Sequence, residues 1–372
     1  MRLVPIESIR EGSYLARSIF DENGRILLKE GIKLTSAILN RLKCIHIYSL
    51  YIKDEYSEIE IEDIIRPELR QKSIKTIKET FSSIERLQDR LHSNSIPKSK
   101  QFSLLKQREE YFSSIYKLAE DLIENVLLTK SIMVNLVDIK SMDSYTYQHC
   151  VNVAVLSLVL GIGLQLNKYE LRDLCVGALI HDIGKVFVSK DIILKEGPLT
   201  NEEYIEVKKH PLKGYEYLRN IYSITSAARM VVLQHHERQD GKGYPEGIRG
   251  DKINRLAKIV AIADVYDALT SDRPYRRALL PNEALEFIMA NCDSMFDYNY
   301  VYAFSKIIIP YPRGTIVKLS NGDIGVVEET PLNYPLRPDI KIIKSSDKSK
   351  IGSLLNLVKE LSVVISDIEY NF

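Results

Sequence analysis

The chain has 372 residues, 45% of them hydrophobic and 27% charged, which is enough for more than one domain and at least one sizeable core. Its 51 Lys and Arg nearly cancel its 50 Asp and Glu, which excludes a bulk nucleic-acid binder with a basic face but leaves room for a local basic pocket. Cys44, Cys150, Cys175 and Cys292 form no C-x-x-C pair, so neither a zinc ribbon nor a disulfide framework is indicated.

The N-terminal segment carries charge early and lacks the apolar core of a signal peptide. With the cysteine usage, this predicts a cytoplasmic protein. Residues 1–65 are short mixed segments. Asp21-Glu22-Asn23-Gly24 predicts a hairpin turn between 14–20 and 25–28, and 46–52 alternates as a strand does. A small β-rich domain is expected there. Pro67 then opens a helix at its first position. Ile74, Ile77, Phe81, Ile84 and Leu87 recur at three- and four-residue steps, 93–97 breaks the pattern, and a second amphipathic run covers 102–130. Residues 66–129 therefore read as a helical linker, whose stripes pair within the chain or across a homodimer.

Residues 130–308 are helical by period, with loops at 195–201 and 238–252. The most apolar stretch, 151–164, is too short and too interrupted by Asn152 and Ser157 to span a bilayer, so a buried core helix and no membrane span are expected. The last segment, 309–372, changes character. Its Asn321-Gly322 lies between two short alternating runs and predicts a hairpin in a small β-rich unit. The fold class expected is mainly α, with small β-rich units at both ends.

Of seven histidines, five fall between 149 and 236. A lone histidine in a helix is more often packed or exposed than a ligand, but three of these five sit beside features that suit metal. His181-Asp182 ends an apolar run and is followed by Gly184 and Lys185. An imidazole and a carboxylate suit borderline divalent ions, the carboxylate can bridge two of them, and the lysine puts a cation where a phosphate oxygen would sit. His235-His236-Glu237 ends another apolar run, and adjacent buried imidazoles are costly to leave unsatisfied. Asp264 lies in an otherwise apolar helix and needs a counter-charge. Arg273 and Arg276 follow, with guanidinium groups that fit phosphate oxygens; a solvated charge run explains that segment equally well.

Taken in order, these residues resemble a known family. Asp143-x-Tyr145-Thr146-x-x-His149, His181-Asp182-Ile-Gly-Lys185, His210-Pro211, His235-His236-Glu237-x-x-Asp240-Gly241-x-Gly243-Tyr244-Pro245, and Asp264-Val-Tyr-Asp267 through Arg276 are similar to the HD-GYP subgroup of the HD phosphohydrolases. The likeness covers about 130–300. It implies an all-α HD-type bundle holding two divalent metal ions, usually iron or manganese. His149, His181, Asp182 and Asp264 are expected to hold one ion, with Asp182 bridging to a second held by His210, His235 and His236. Some members hold a third ion through a Glu at the position of Tyr145, so two are expected here. Asp182 and Lys185 would be catalytic. Lys185, Arg273, Arg276, Gly243, Tyr244 and Pro245 would meet the substrate. Ser189 stands where the family usually has Pro, a local loop change.

The activity implied is hydrolysis of cyclic di-GMP to pGpG, and to GMP where a second cut follows, by a hydroxide made at the two ions. The alternatives are a phosphodiesterase for another cyclic dinucleotide such as 3′,3′-cGAMP, and a sensor that binds without turnover. Complete retention of the ligands argues against the sensor.

Overall fold

The structure, a computed structural model, describes residues 1–20, 25–45, 47–54, 64–92, 98–129, 145–195, 197–271, 278–331 and 333–370. The chain begins with strands β1 (Arg2–Pro5), β2 (Tyr14–Leu15), β3 (Ile19–Phe20) and β4 (Ile26–Leu28), then helix α1 (Ser36–Cys44) and β5 (Ser49–Lys53). β1, β5 and β2 form an antiparallel sheet in that order, and β3 pairs with β4. Ile19 faces Leu28 and Phe20 faces Ile26, across the expected hairpin whose turn lies outside the described residues. Tyr14 and Leu15, expected in the same arm, pair instead with Lys53 and Ile52. The unit is not all β. Thr35 caps α1 through its side chain, and Leu39 and Leu42 turn into a core with Val4, Ile6, Leu15, Leu34 and Leu50.

Pro67 opens α2 (Pro67–His92), and α3 (Lys98–Leu128) follows; the break at 93–97 lies outside the described residues. Ile74, Ile77, Phe81 and Ile84 are buried in one hydrophobic cluster with Phe112, Ile115 and Leu122 of α3. That cluster continues into the helices beyond. The two helices are therefore a wall of the main core rather than a linker standing apart. Their apolar stripes are covered within the chain.

The remaining helices are α4 (Tyr145–Gly163), α5 (Lys168–Leu179), α6 (Lys190–Ile193), α7 (Asn201–Val207), α8 (His210–Leu218), α9 (Ser226–Gln234), α10 (Arg255–Leu269), α11 (Pro281–Ala290) and α12 (Tyr298–Ile307). α4 is long and apolar enough to cross a membrane, but its side chains from Cys150 to Leu160 are buried in this core. It packs against α5 and α10, which are capped at their starts by Asn167 and Asn254. α10 is buried nearly all round, as its uniform apolarity requires. The chain closes with β6 (Ile316–Leu319), β7 (Ile324–Glu329), β8 (Asp339–Lys344), β9 (Leu354–Asn356) and β10 (Ile365–Ile368), ordered β10-β6-β7-β8-β9. The predicted hairpin is β6–β7, with Gly322 at φ +87° in its turn. The architecture is mainly α with small antiparallel sheets toward both ends.

Candidate metal centre

Three helix ends and two helix bodies converge in the core. α5 stops at Ile180 and delivers His181 and Asp182 into a 3-10 turn, Ile183–Phe187. His210 begins α8, while His235 and His236 follow the last turn of α9. His149 and Asp264 come from within α4 and α10. The seven side chains sort into two groups, Asp182 with His210, His235 and His236, and His149 with His181 and Asp264. Within each group the ligand atoms lie within 4.8 Å of one another. All are buried except His236, which is partly exposed.

Asp182 faces both groups. Its Oδ1 lies 3.3 Å from His210 Nε2, and its Oδ2 lies 3.5 Å from His181 Nε2 and 3.9 Å from His149 Nε2. On the other side, His149 Nε2 lies 3.0 Å from Asp264 Oδ1.

The far nitrogens of four imidazoles are tied down. His181 Nδ1 donates to the Ala178 carbonyl at 2.8 Å, His210 Nδ1 to Val207 at 2.8 Å and His235 Nδ1 to Val232 at 2.9 Å. His149 Nδ1 donates to Asp267 Oδ2 at 2.7 Å. This pattern turns the Nε2 atoms inward, the arrangement metal-ligating histidines use. The consequence is a cavity full of acceptors. His210 Nε2 and His235 Nε2 lie 3.3 Å apart, and His181 Nε2 and Asp182 Oδ1 are buried without a hydrogen-bond donor. Buried acceptors without donors are costly. A divalent cation satisfies all of them at once, so the donor set fits the group that the sequence implied.

The electrostatics agree. Burial, joined by neighbouring imidazoles, holds His235 neutral, and burial pushes His236 down to about 3. Burial also lowers His181. Burial opposes charge on His149 too, but its hydrogen bonds to Asp264 and Asp267 outweigh that and raise it to about 9. Burial likewise disfavours the charged form of Asp182. The Lys185 cation and surrounding imidazoles nevertheless hold this carboxyl well below its ordinary range. Lys185 Nζ reaches Asp182 Oδ2 at 2.6 Å with its side chain 30% exposed, at the edge between the buried centre and solvent.

Two glycines set the distances. A Cβ on Gly184 would lie 1.8 Å from the His210 carbonyl oxygen, so only glycine lets the 3-10 turn lie against the start of α8. A Cβ on Gly243 would lie 2.5 Å from the backbone of residues 236, 237 and 238, so the loop after His236 folds back on itself there. That loop is pinned by Glu237, whose Oε1 accepts from the backbone of Glu246 at 2.7 Å and Gly247 at 3.1 Å. Its turn places the Tyr244 ring 4.7 Å from the His236 ring, as a wall beside the centre, with the cis Tyr244-Pro245 bond following. Arg273 and Arg276 lie outside the described residues.

Sequence reading gave no role to Asp267, Asn152 or the carboxylate of Glu237. The signal for Asp267 was its spacing. It stands three residues after Asp264 and so on the same side of an otherwise apolar helix.

Residues 128–299 match the family model for the HD domain, and 316–369 match the KOW domain associated with it. Residues 128–299 are therefore an HD domain, and their motifs are similar to the HD-GYP form. Curated proteins are similar to parts of this chain. The cyclic di-GMP phosphodiesterase PA4108 of Pseudomonas aeruginosa is 38% identical over 234 residues, 63% of this chain and 56% of that protein. The cyclic di-GMP phosphodiesterase response regulator RpfG of Xanthomonas campestris is 41% identical over 144 residues, 38% of each chain. The 3'3'-cGAMP-specific phosphodiesterase 1 of Vibrio cholerae is 36% identical over 166 residues, 45% of this chain and 38% of that one. The chain thus spans little more than half the length of the first of these relatives and less of the other two.

Proposed function

We propose that this HD domain is a metal-dependent phosphodiesterase that opens cyclic di-GMP to pGpG, and further to GMP where a second cut follows. The observation that carries the reading is the convergence of seven candidate ligand side chains into two groups, with Asp182 of one group also facing His149 and His181 of the other. In this reading His149, His181, Asp182 and Asp264 hold one ion, and Asp182, His210, His235 and His236 a second, with iron or manganese the metals in view. Divalent cations bound there would polarise phosphoryl oxygens and make water a nucleophile near neutral pH.

The chain's own residues do the rest. Asp182 directs one oxygen to each group, which fixes the separation of the two sites. Asp267 and the three backbone carbonyls lock the imidazole rings with Nε2 inward. Lys185, at the rim, is placed to offset charge on a phosphate in the transition state, and Arg273 and Arg276 join it as substrate contacts. Gly243 permits the fold of the loop that brings Tyr244 and Pro245 to the edge of the centre, where they shape the substrate wall. The helical domain, 130–308 by the sequence, is then the catalytic unit, and the units at 1–65 and 309–372 are accessory.

Likeness to a 3'3'-cGAMP-specific enzyme favours a second substrate, because the metal ligands define the bond that is cut better than they define the base. A panel of cyclic di-GMP, 3′,3′-cGAMP and cyclic di-AMP, resolved by chromatography, tests this. Linear dinucleotide from cyclic di-GMP at the highest kcat/KM supports the proposal. Preference for 3′,3′-cGAMP transfers the function to that substrate, and binding without product from metal-loaded protein replaces the enzyme with a receptor.

A further inference from the structure

Behind His149 a buried hydrogen-bonded chain leads away from the centre to the first turn of α2. Asp267 Oδ2 accepts from His149 Nδ1 at 2.7 Å. Its other oxygen, Oδ1, accepts from Asn152 Nδ2 at 3.0 Å. Asn152 Oδ1 in turn accepts from Arg70 Nη1 at 2.8 Å. Arg70 is 7% exposed, Asn152 1% and Asp267 2%.

The order of donors gives the chain its sense. Asn152 is a polar residue in the buried stretch of α4. With its carbonyl taken by Arg70, its amide N–H₂ must face Asp267. Asp267 then presents its remaining oxygen to His149, which fixes the tautomer with Nε2 inward. The guanidinium also supplies positive charge two bonds from the buried carboxylate, and hydrogen bonds in such a chain strengthen one another. Removing the guanidinium frees the Asn152 amide to turn, and the hold on His149 loosens. Arg70 belongs to the helix that follows the N-terminal β unit, so a movement of α2 acts on the centre through this chain.

We infer that Arg70 is a positioning residue for the metal centre, holding the His149 ring through Asn152 and Asp267, so that the seating of α2 sets the quality of the site that His149 serves. The inference rests on the proposed metal centre. Loss of a partner of this kind typically weakens metal binding 10–100-fold, and one link further out about tenfold is expected.

The test uses the full chain, made metal-free and titrated with Mn²⁺, as wild type, Arg70→Met and Arg70→Lys. The ¹⁵N-histidine spectrum of each metal-free protein is recorded alongside. The expected result is two Mn²⁺ bound by wild type, one of them about tenfold weaker in R70M with the other unchanged, and recovery in R70K. The His149 Nδ1–H resonance should shift in metal-free R70M as well. If R70M does not fold, Asn152→Ser breaks the chain at its middle and is read by the same two measurements. Unchanged titration and resonance overturn the inference. So does equal weakening of both ions with a fallen melting temperature, which marks general loosening. Failure of wild type itself to bind Mn²⁺ would sink the metal centre, while the histidine spectrum still reports on the hydrogen-bonded chain.

Discussion

Gly184→Ala puts one methyl group between the two halves of the centre. The added Cβ would lie 1.8 Å from the His210 carbonyl oxygen, 2.7 Å from its carbonyl carbon and 2.8 Å from the amide nitrogen of Gly214. All three are backbone atoms of α8 and cannot swing aside as a side-chain tip does. Real Cβ contacts essentially never fall below 3.0 Å, so the turn and the helix must part by more than 1 Å. His181 and Asp182 lie on one side of that contact and His210 on the other, with Asp182 Oδ1 and His210 Nε2 now 3.3 Å apart. A 1 Å misplacement of reacting groups costs about 100-fold in rate, and overpacking of this kind destabilises by about 1–3 kcal/mol. G184A should therefore fold with a lowered melting temperature. It should bind less metal at the His210 side and turn over about 100-fold more slowly. The assays are thermal denaturation, metal analysis after dialysis, and single-turnover cleavage of the preferred dinucleotide. Wild-type metal content and turnover in a folded G184A would show that this contact does not set the spacing of the two groups.

Removing metal should destabilise the protein by mass action, by about 2.7 kcal/mol for each site previously held at 100 times its Kd. Calorimetry with and without a chelator measures this, and coincident melting curves would contradict a folded-state metal site. In the metal-free protein His149 stays protonated up to about pH 9, and an incoming cation must displace that proton. The raised pKa therefore opposes binding at neutral pH. Mn²⁺ affinity at one site should rise about tenfold per pH unit toward pH 9 and then level off; a flat profile from pH 6.5 to 8.5 would contradict this. Glu237→Ala removes the acceptor for two backbone N–H groups and should cost about 2 kcal/mol. It should raise KM by releasing the Tyr244 wall while leaving both ions bound, which a metal assay beside the kinetics checks.

Much of the candidate site was legible in the sequence because its proposed ligands sit where apolar runs stop. His181-Asp182 and His235-His236 each close a buried helix, and a helix end lets neighbouring residues point at one ion. Asp264 stood out as a carboxylate in an apolar helix. Other features carried no local signal. Arg70 lies in a charged segment where nothing separates a buried guanidinium from a surface one, and its role depends on a partner 82 residues away. The stripes of α2 and α3 gave the helices but not what covers them, since an apolar face is the same whether its cover comes from the chain or from a second copy. α1 was missed because it is short and is held by Thr35 and two buried leucines within a segment dominated by strands. The C-terminal hairpin declared itself through Asn321-Gly322, whereas β8, β9 and β10 are joined by longer connections without such a turn.

The central claim is that one shared aspartate and six further ligands form a two-ion hydrolytic centre. The most direct test compares wild type with a His181→Ala, Asp182→Ala double variant, both prepared anaerobically, for metal content and for product from cyclic di-GMP. The account predicts about two metals per chain and linear product from wild type, with neither from the variant. Metal-loaded wild type that makes no product, or product that persists in the double variant, would contradict it.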